Sequence, residues 1–313
     1  MPISFFKYHG LGNDFVLVDR REEGVPPDPE EWALRLCRRR YGVGADGVLF
    51  ILPPQSREAH AAMRIFNADG SEAEMCGNGL RCFAKHLVDH AGMERSLVVD
   101  TGAGPLKCEV AKGARGAPSA QVTVDMGRPG RTPESIPMKR DEPLVAGELP
   151  DVDAGLRFTA VSMGNPHIVC FLDDSSVRNE NQTPTSFEVI QTALRRGPGL
   201  EIHPLFPKKT NVSFVCRRRD GGWEAAVWER GVGLTAACGT GACAIGVAAC
   251  LEGRARLQET QAIHLPGGLL KVTVRAGYQG VDMEGPARFA FRGELRLEAL
   301  PETVPRALPE TPR

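Results

Sequence analysis

The feature that most constrains the fold of this chain is an internal duplication. The segment Cys-Gly-x-Gly occurs twice, beginning at Cys76 and at Cys238. Similar segments recur in the same order around each copy: GNDFVLVD (12–19) with GNPHIVCFLD (164–173), PEEWALRLCRR (29–39) with SFEVIQTALRR (186–196), GPLKCEV (104–110) with GLLKVTV (268–274), and VDMGRP (124–129) with VDMEGP (281–286). Because chance similarity between short segments does not preserve their order, the sequence predicts two modules related by duplication.

The spacing of apolar residues predicts the same order of elements in each module. A strand is followed by a helix (29–39 in the first module, 186–196 in the second), by two or more strands, by a second helix directly behind the cysteine, and by further strands. This order lacks the regular βαβ alternation of a doubly wound sheet, so we predict an α+β fold with two pseudo-symmetric domains, each a mainly antiparallel sheet wrapped around a central helix. The first domain is assigned to residues 1–120 plus 286–300 and the second to 121–285, with a Pro-rich loop at 128–143 and a disordered tail at 301–313.

The composition argues against several classes of protein. Lys and Arg total 38 and Asp and Glu total 39 in 313 residues, so the net charge of -1 predicts no attraction to nucleic acid or to an anionic membrane. The first residues lack a signal-peptide pattern, and no run approaches about 18 apolar residues. Nine cysteines without a C-x2-C pair favour a reducing cytoplasm and disfavour a metal site such as zinc. We expect a small molecule or a second subunit as the partner.

The two repeated cysteines are the candidate catalytic residues. Each is placed at the N-terminus of a predicted helix, where unpaired backbone N–H groups and the positive end of the helix dipole favour a thiolate and also bind a carboxylate. Glycines beside both cysteines leave room for such an anion. If the modules face each other, one thiolate removes the α-proton from one face of an amino acid while the opposite thiol returns a proton. This arrangement describes a racemase that needs no cofactor.

Two simpler interpretations compete with this one. A lone cysteine in such a turn is more often a buried small apolar residue, but the symmetric placement of Cys76 and Cys238 favours catalysis, while the other cysteines are assigned to packing. The motif GVGADG (42–47) matches the G-x-G-x-x-G pattern of dinucleotide-binding proteins. It follows a predicted helix and precedes a predicted strand, which is the reverse of the order that this fingerprint requires.

Several motifs carry a resemblance to a known family. They are HGLGNDF (9–15), FNADGSEAEMCGNGLRC (66–82), GNPH (164–167), KKTNVSFV (208–215), ERGVGLTAACGTGACA (229–244) and GPARFAF (285–291). Through them the chain resembles the diaminopimelate epimerase family, whose members interconvert LL- and meso-2,6-diaminopimelate without a cofactor, in the synthesis of lysine and of peptidoglycan precursors. The resemblance covers nearly the whole chain. It implies the same two-domain fold and a homodimer, with Phe291 at the position where the family often has an interface tyrosine.

The same resemblance implies a role for each matched residue. Cys76 and Cys238 are the acid–base pair that acts on the two faces of the substrate. The donors to the reacting carboxylate are Gly77, Asn78, Gly239 and Thr240. The residues that line the rest of the substrate pocket are Asn13, Asn67, Asn165, Asn211, Glu229 and Arg230.

The chemistry of these residue types agrees with that assignment. Arg230 can bind a distal carboxylate through two hydrogen bonds, and Glu229 can pair with a distal ammonium group. His167 and Glu229 are predicted to tune the thiol pKa values, since an imidazolium lowers the pKa of a neighbouring thiol and a carboxylate raises it. Two positions depart from the family pattern. Gly47 stands where many members have Gln, so a side-chain contact to substrate there is in doubt, and Leu234 stands where many have Glu.

Two rival functions remain open at this stage. The first is another amino-acid racemase on the same scaffold, acting on proline, hydroxyproline or histidine, which would keep both cysteines and change the distal pocket. Asn67, Asn211 and Arg230 favour a substrate with a second amino-acid end. The second is a non-catalytic dithiol redox or ligand-binding protein, in which replacing either cysteine would leave the function largely intact or remove only a disulfide.

Overall fold

The chain was analysed as a computed structural model, which describes residues 2–152, 155–172 and 185–301. The tail predicted from residue 301 therefore lies outside the described residues except for Pro301, as does Asp173 at the end of the second GN repeat. The N-terminal half consists of β1 (Ile3–Gly10), β2 (Asn13–Asp19), α1 (Pro29–Leu36), β3 (Gly47–Leu52), β4 (Ala61–Asn67), β5 (Glu72–Ala73), α2 (Gly77–His90), β6 (Ser96–Thr101), β7 (Gly104–Val110) and β8 (Ser119–Asp125).

The C-terminal half repeats this order element by element. It consists of β9 (Thr159–Ser162), β10 (Pro166–Phe171), α3 (Ser186–Glu201), β11 (Asn211–Arg217), β12 (Trp223–Glu229), β13 (Gly233–Leu234), α4 (Gly239–Leu251), β14 (Thr260–Leu265), β15 (Gly268–Val274) and β16 (Val281–Leu295). Short 3₁₀ turns at Ala276–Tyr278 and Leu297–Ala299 flank β16. The duplication predicted from the sequence is thus present in the fold.

Strand pairing follows the same scheme in both halves. The pairs β2–β3 and β4–β6 are parallel, as are their counterparts β10–β11 and β12–β14. The other pairs between neighbouring strands are antiparallel, including β8–β16 where the halves meet. The prediction of an α+β fold with two pseudo-symmetric, mainly antiparallel domains is confirmed.

The last strand of each half is shared with the other half. Strand β16 pairs with β15 near its start, with β8 in its middle, and then with β1 from Arg288 to Leu295, which closes the N-terminal sheet into a barrel. Beyond β8, Gly130 forms a β-bridge to Ser162 of β9, which is the corresponding connection in the C-terminal half. The domain limits that we propose, 120/121 and 285/286, fall inside these two shared strands.

The central helices are enclosed by the sheet. Helix α2 buries Leu80, Phe83 and Leu87. It ends at His90 with Ala91 as its C-cap, and Gly92 follows with a φ of 69° that suits glycine. Apart from Thr240, helix α4 is built from Gly, Ala, Cys, Ile, Val and Leu and is buried on nearly all sides, as is expected of a helix without a polar face. One apolar core cluster contains side chains from both helices. Both halves therefore share a continuous core.

Two helix boundaries differ from the predictions. Helix α1 ends at Leu36 rather than at residue 39, because the chain folds back over its last turn: a Cβ at Gly42 would lie 2.3 Å from the carbonyl oxygen of Arg35. Helix α3 continues past the predicted end at residue 196 to Glu201, and it includes Pro198. Segment 128–143 contains no regular strand or helix, as predicted, although Ile136 and Met138 are buried in the core of the C-terminal half.

Candidate active site

Cys76 and Cys238 occupy equivalent positions in the two halves. Each is the N-cap of a central helix and has extended backbone, with φ of -140° at Cys76 and -112° at Cys238. Each carbonyl accepts the first hydrogen bond of its helix, at 2.8 Å from the N–H of Leu80 and 3.0 Å from the N–H of Ala242. The Sγ atom of Cys238 also accepts a hydrogen bond from the N–H of Gly241 at 3.3 Å. Both sulfurs thus lie at the positive end of a helix dipole.

The two helix N-termini meet at the boundary between the halves. The Asn78 side chain on α2 donates a hydrogen bond to the carbonyl of Ala237, the residue before Cys238, at 3.0 Å. A Cβ at Gly77 would lie 2.8 Å from the Cε atom of Met283, and one at Gly239 would lie 3.1 Å from its sulfur. Only glycine leaves space for this methionine between the two helix starts. The modules therefore face each other with their cysteine turns in contact, which is the arrangement that the two-base prediction requires.

Corresponding strand ends bring the remaining predicted residues to the same place. Asn13 at the start of β2 corresponds to Asn165 just before β10. Gly47 and Asn211 begin β3 and β11, and Asn67 and Glu229 end β4 and β12. Because β3 and β4 are antiparallel, the start of one lies beside the end of the other, as the pairing of Gly47 with Asn67 shows. Asn13, Gly47 and Asn67 of one half thus have Asn165, Asn211 and Glu229 as counterparts in the other.

Side-chain contacts around the helix starts follow the pseudo-symmetry. In the N-terminal half, the Asn78 amide donates to Oδ1 of Asn13 at 3.1 Å. In the C-terminal half, the Asn165 amide contacts the Thr240 hydroxyl at 3.5 Å. The Thr240 hydroxyl lies 3.5 Å from the sulfur of Cys238, and Oδ1 of Asn13 lies 3.9 Å from the sulfur of Cys76. In each half, therefore, one asparagine (Asn13 or Asn165) contacts the second residue of the central helix, next to the cysteine.

Burial is the largest influence on both thiols. It raises the pKa of Cys76, and the Glu229 carboxylate raises it further, while the nearby N–H groups of Gly79 and Asn78 lower it. The pKa of Cys238 is raised well above its usual value, first by burial and then by Glu229, against hydrogen bonds from Thr240 and Gly241. The free site therefore favours protonated thiols, and deprotonation depends on the charges nearby.

Glu229, at the end of β12, acts on the thiols of both halves. Burial raises its own pKa, and hydrogen bonds from Thr235 and Cys238 oppose that rise. The Thr235 hydroxyl donates to Oε1 of Glu229. The direction predicted for Glu229, a carboxylate that raises thiol pKa values, agrees with the pKa shifts of both cysteines.

His167 differs from the prediction in its charge. The ring is fully buried, and burial, with the charge of Arg230, lowers its pKa to about 3. The imidazole is therefore neutral near pH 7, and the imidazolium that we predicted as a tuning group is absent at that pH. Its Nε2 lies 2.9 Å from Oδ1 of Asn165. His167 can act on the site by orienting Asn165, whose amide faces Thr240.

The distal residues belong mostly to the C-terminal half. Asn211 is buried and spans the site edge: its amide donates to the carbonyl of Pro166 at 2.8 Å, and its Oδ1 accepts from the N–H of Arg230 at 2.9 Å. The Arg230 guanidinium is exposed and donates to the carbonyl of Lys208 at 3.0 Å. Within the described residues, Arg230 has no ion pair to a carboxylate, so its charge is available to an anionic ligand.

The N-terminal side of the site is less open to a side chain at residue 47. A Cβ at Gly47 would lie 2.8 Å from the carbonyl oxygen of Phe66, so the backbone of β4 occupies the space that any larger residue would need. Asn67 is held by the Ser71 hydroxyl, which its amide contacts at 3.0 Å. The packing of β3 against β4 therefore requires glycine at residue 47, where many family members have Gln.

Sequence reasoning missed three residues that shape the site. Met283 separates the helix starts, Thr235 holds Glu229, and Arg81 lies buried behind the Cys76 turn. The repeat of VDM at 124–126 and 281–283 was the available signal for Met283, since Met126 also lies near Gly77. Cys82 and Cys243 are buried thiols whose pKa values burial raises to about 12, in agreement with their assignment to packing. The described residues contain no group of three or more potential metal ligands and no helix with the length and apolar character needed to span a membrane.

Facing cysteines at the helix starts of two pseudo-symmetric domains define an isomerase of the racemase and epimerase class. The same fold occurs in a hydroxyproline epimerase from Agrobacterium vitis, with a TM-score of 0.67, 16% identity, and coverage of 94% of this chain and 91% of that one. It also occurs in a probable proline racemase from Agrobacterium radiobacter, with a TM-score of 0.68, 16% identity, and coverage of 94% and 93%. These two likenesses concern the fold.

Sequence comparison places the chain more narrowly. The family model for diaminopimelate epimerase matches residues 5–132 and 159–290. The diaminopimelate epimerase of Desulfitobacterium hafniense is 45% identical over 304 residues, which cover 95% of this chain and 100% of that one. That of Moorella thermoacetica is 44% identical over 298 residues, with coverage of 95% and 100%. The chain belongs to the diaminopimelate epimerase family, as its motifs predicted.

Proposed function

We propose that the protein interconverts LL-2,6-diaminopimelate and meso-2,6-diaminopimelate by proton transfer through two cysteines. One observation carries this proposal: the two repeated cysteines cap facing helices from opposite halves, and one carboxylate, Glu229, acts on both thiols. This activity belongs to the supply of lysine and of peptidoglycan precursors. Its relatives in the same family carry the name of the same enzyme.

In the proposed mechanism, the reacting carboxylate lies between the two helix starts. The N–H groups behind Cys76 and Cys238 face this position, and the helix dipoles stabilise the negative charge that spreads onto the carboxylate as the α-proton leaves. One cysteine, as thiolate, takes the α-proton. The other, as thiol, delivers its proton to the opposite face of the same carbon, and the two exchange roles in the reverse direction.

The far end of the substrate is assigned to the C-terminal strand ends. An exposed guanidinium at Arg230 suits the distal carboxylate, and Glu229 suits the ammonium group. Asn211 supports this assignment because it holds the backbone of Arg230 through a hydrogen bond of 2.9 Å. A substrate with two amino-acid ends would therefore span from the helix starts to the loop after β12.

Deuterium exchange provides the direct test. Purified protein incubated with LL-diaminopimelate in D₂O should yield the meso isomer with deuterium at the inverted carbon. Proline, hydroxyproline and histidine serve as competing substrates on the same scaffold. Exchange with one of these and none with diaminopimelate would replace the proposed substrate, and absence of exchange with all four would favour the dithiol binding protein.

We also propose that the active form is a cytoplasmic homodimer. Phe291 on β16 is 47% exposed, and its ring packs edge-on against Phe5 at a centroid distance of 6.1 Å, which leaves an apolar surface on the β1–β16 edge. The nine free cysteines suit a reducing compartment. Analytical ultracentrifugation should show that Phe291→Glu lowers the sedimentation coefficient to that of a monomer. Phe187→Glu, at an exposed site on α3, is the matched control and should leave it unchanged.

A further inference from the structure

Arg81 is a buried positive charge with no acidic partner among the described residues. It lies on α2 and is 0% exposed. The guanidinium donates to the carbonyl of Pro286 at 3.3 Å and contacts the sulfur of Met283 at 3.8 Å, and its Nη2 has no hydrogen-bond partner in the described part of the chain. Burying an arginine in this way is costly unless its charge interacts with something.

Two glycines on neighbouring strands make room for this side chain. A Cβ at Gly10, the last residue of β1, would lie 2.9 Å from Nη2 of Arg81. A Cβ at Gly285 on β16 would lie 3.1 Å from Nε and 3.2 Å from Cζ. The two strands that close the barrel, β1 and β16, therefore both leave space for the guanidinium of Arg81.

The space lies directly behind the two helix starts. Arg81 follows Gly77 by one helical turn and so lies on the same face of α2. Met283 contacts the guanidinium on one side and both Gly77 and Gly239 on the other. The methionine side chain therefore lies between the guanidinium and the glycines of both cysteine turns.

This charge is present in one module only. In the repeat, the segment CGNGLR beginning at Cys76 corresponds to CGTGAC beginning at Cys238, so the counterpart of Arg81 is Cys243. The small thiol at that position leaves the shared core free for a single arginine. The pseudo-symmetric backbone thus carries an asymmetric electric field.

We propose that Arg81 is a positioning residue whose buried charge stabilises the thiolate of Cys76 in preference to that of Cys238. The inference deepens the proposed two-cysteine function and rests on it. The charged groups that act on Cys76 are Glu229 from β12 and Arg81 from its own helix, and they have opposite signs. Those acting on Arg81 are the thiols of Cys82, Cys76 and Cys243. Cys238 instead contacts Glu229, so a proton is retained there more readily.

The pH dependence of alkylation tests this role without requiring turnover. Wild-type protein and the variants Arg81→Met and Arg81→Gln are treated with iodoacetamide between pH 6 and 10, and the peptides that contain Cys76 and Cys238 are followed separately by mass spectrometry. Loss of the charge should move the Cys76 profile to higher pH, with about a tenfold lower rate at a fixed pH below the midpoint. The Cys238 profile should move less.

Two further variants separate charge from packing. Arg81→Lys retains a positive charge and should restore most of the Cys76 profile. Lys85→Met removes another buried cation from α2, one turn further on and paired with Asp89, and should leave the Cys76 profile in place. In turnover, loss of the Arg81 charge should lower kcat about tenfold near neutral pH, with recovery at higher pH and little change in KM.

The outcomes distinguish the two proposals. An unchanged Cys76 profile in folded Arg81→Met or Arg81→Gln would overturn the inference, as would an equal shift in Lys85→Met. If Arg81→Met and Arg81→Gln both fail to fold, the folded variant Arg81→Lys decides the outcome. A Cys76 alkylation profile in Arg81→Lys like that of denatured protein would assign Arg81 to structure alone. Absence of deuterium exchange in the wild type would instead reject the proposed function, whatever the alkylation profiles show.

Discussion

The two helix starts share a backbone design and differ in the side chains around it. Both begin at a cysteine with extended backbone, followed by glycines and enclosed by sheet. At α2 the neighbours are Asn78 and the cation Arg81, whereas at α4 they are Thr240 and the carboxylate of Glu229. The comparison shows that the duplicated backbone places two cysteines in equivalent positions. Single side chains, Arg81 and Glu229, then give the two cysteines different electrostatic surroundings.

Replacing either cysteine should have the largest effect. Cys76→Ser and Cys238→Ser each remove a proton-transfer group from one face, so we expect a loss of epimerisation of about 10²- to 10⁴-fold in both directions. The deuterium-exchange assay measures it, and circular dichroism confirms folding. Near wild-type turnover in either variant would contradict the two-base mechanism and would show that one helix start is dispensable.

The asparagine at α2 should matter more to stability than the threonine at α4. Asn78→Ala leaves the carbonyl of Ala237 and the Oδ1 atom of Asn13 without their donor, so the free energy of unfolding should fall by about 1–3 kcal/mol. Thr240→Ala loses only contacts of 3.5 Å and should cost less than about 1 kcal/mol. Denaturant unfolding measures both, and equal losses would remove this asymmetry.

Each half also buries one neutral histidine, which makes stability depend on pH. The pKa values of His86 and His167 are lowered to about 3, mainly by burial, so the unfolded chain binds more protons than the folded one below about pH 6.5. Stability is therefore lost as pH falls, by about 1 kcal/mol per histidine between pH 7 and 5.5. His86→Met should flatten the pH dependence of the unfolding free energy. A slope equal to that of the wild type would place the effect elsewhere.

The smallest expected change concerns the carboxylate at α4. Glu229→Gln removes a negative charge that raises the pKa of both thiols, so both should alkylate faster at a fixed pH, and Cys238, which also hydrogen-bonds Glu229, should gain more. We expect about a threefold higher rate at Cys238, which corresponds to half a pKa unit. Iodoacetamide labelling of the substrate-free protein measures this. A larger increase in the alkylation rate of Cys76 than of Cys238 would show that Glu229 acts mainly on the cysteine of α2.

The repeat and its motifs allowed much of the fold to be predicted. The order of short apolar segments placed the strands and the two cysteine helices, because periodicity and glycine turns are local signals. The ends of α1 and α3 were missed, since the fold-back over Gly42 and the continuation of α3 past Pro198 depend on tertiary packing. The pairing of β16 with β8, which joins the two halves, was not predicted, because pairing partners far apart in the chain leave no local pattern.

For the site, the sequence indicated residue types more reliably than their charges. Cys76 and Cys238 followed from the duplication alone, and the polar residues at strand ends followed from the motifs. The neutral state of His167 was not predictable, because it depends on complete burial beside Arg230. Arg81 was overlooked for a similar reason: an arginine four residues into a helix is ordinarily exposed, and only the packing of Gly10 and Gly285 shows that this one is enclosed.

The pairing of β1 with β16 also has a consequence for the synthesis of the protein. The N-terminal barrel closes only when β1 pairs with the second part of β16, which follows all the other strands named here along the chain. During synthesis, the N-terminal sheet therefore keeps an unpaired edge at β1 until β16 has left the ribosome. Met283, which separates the cysteine turns, arrives on the same strand. Barrel closure and assembly of the site are therefore completed together, once β16 has been synthesised.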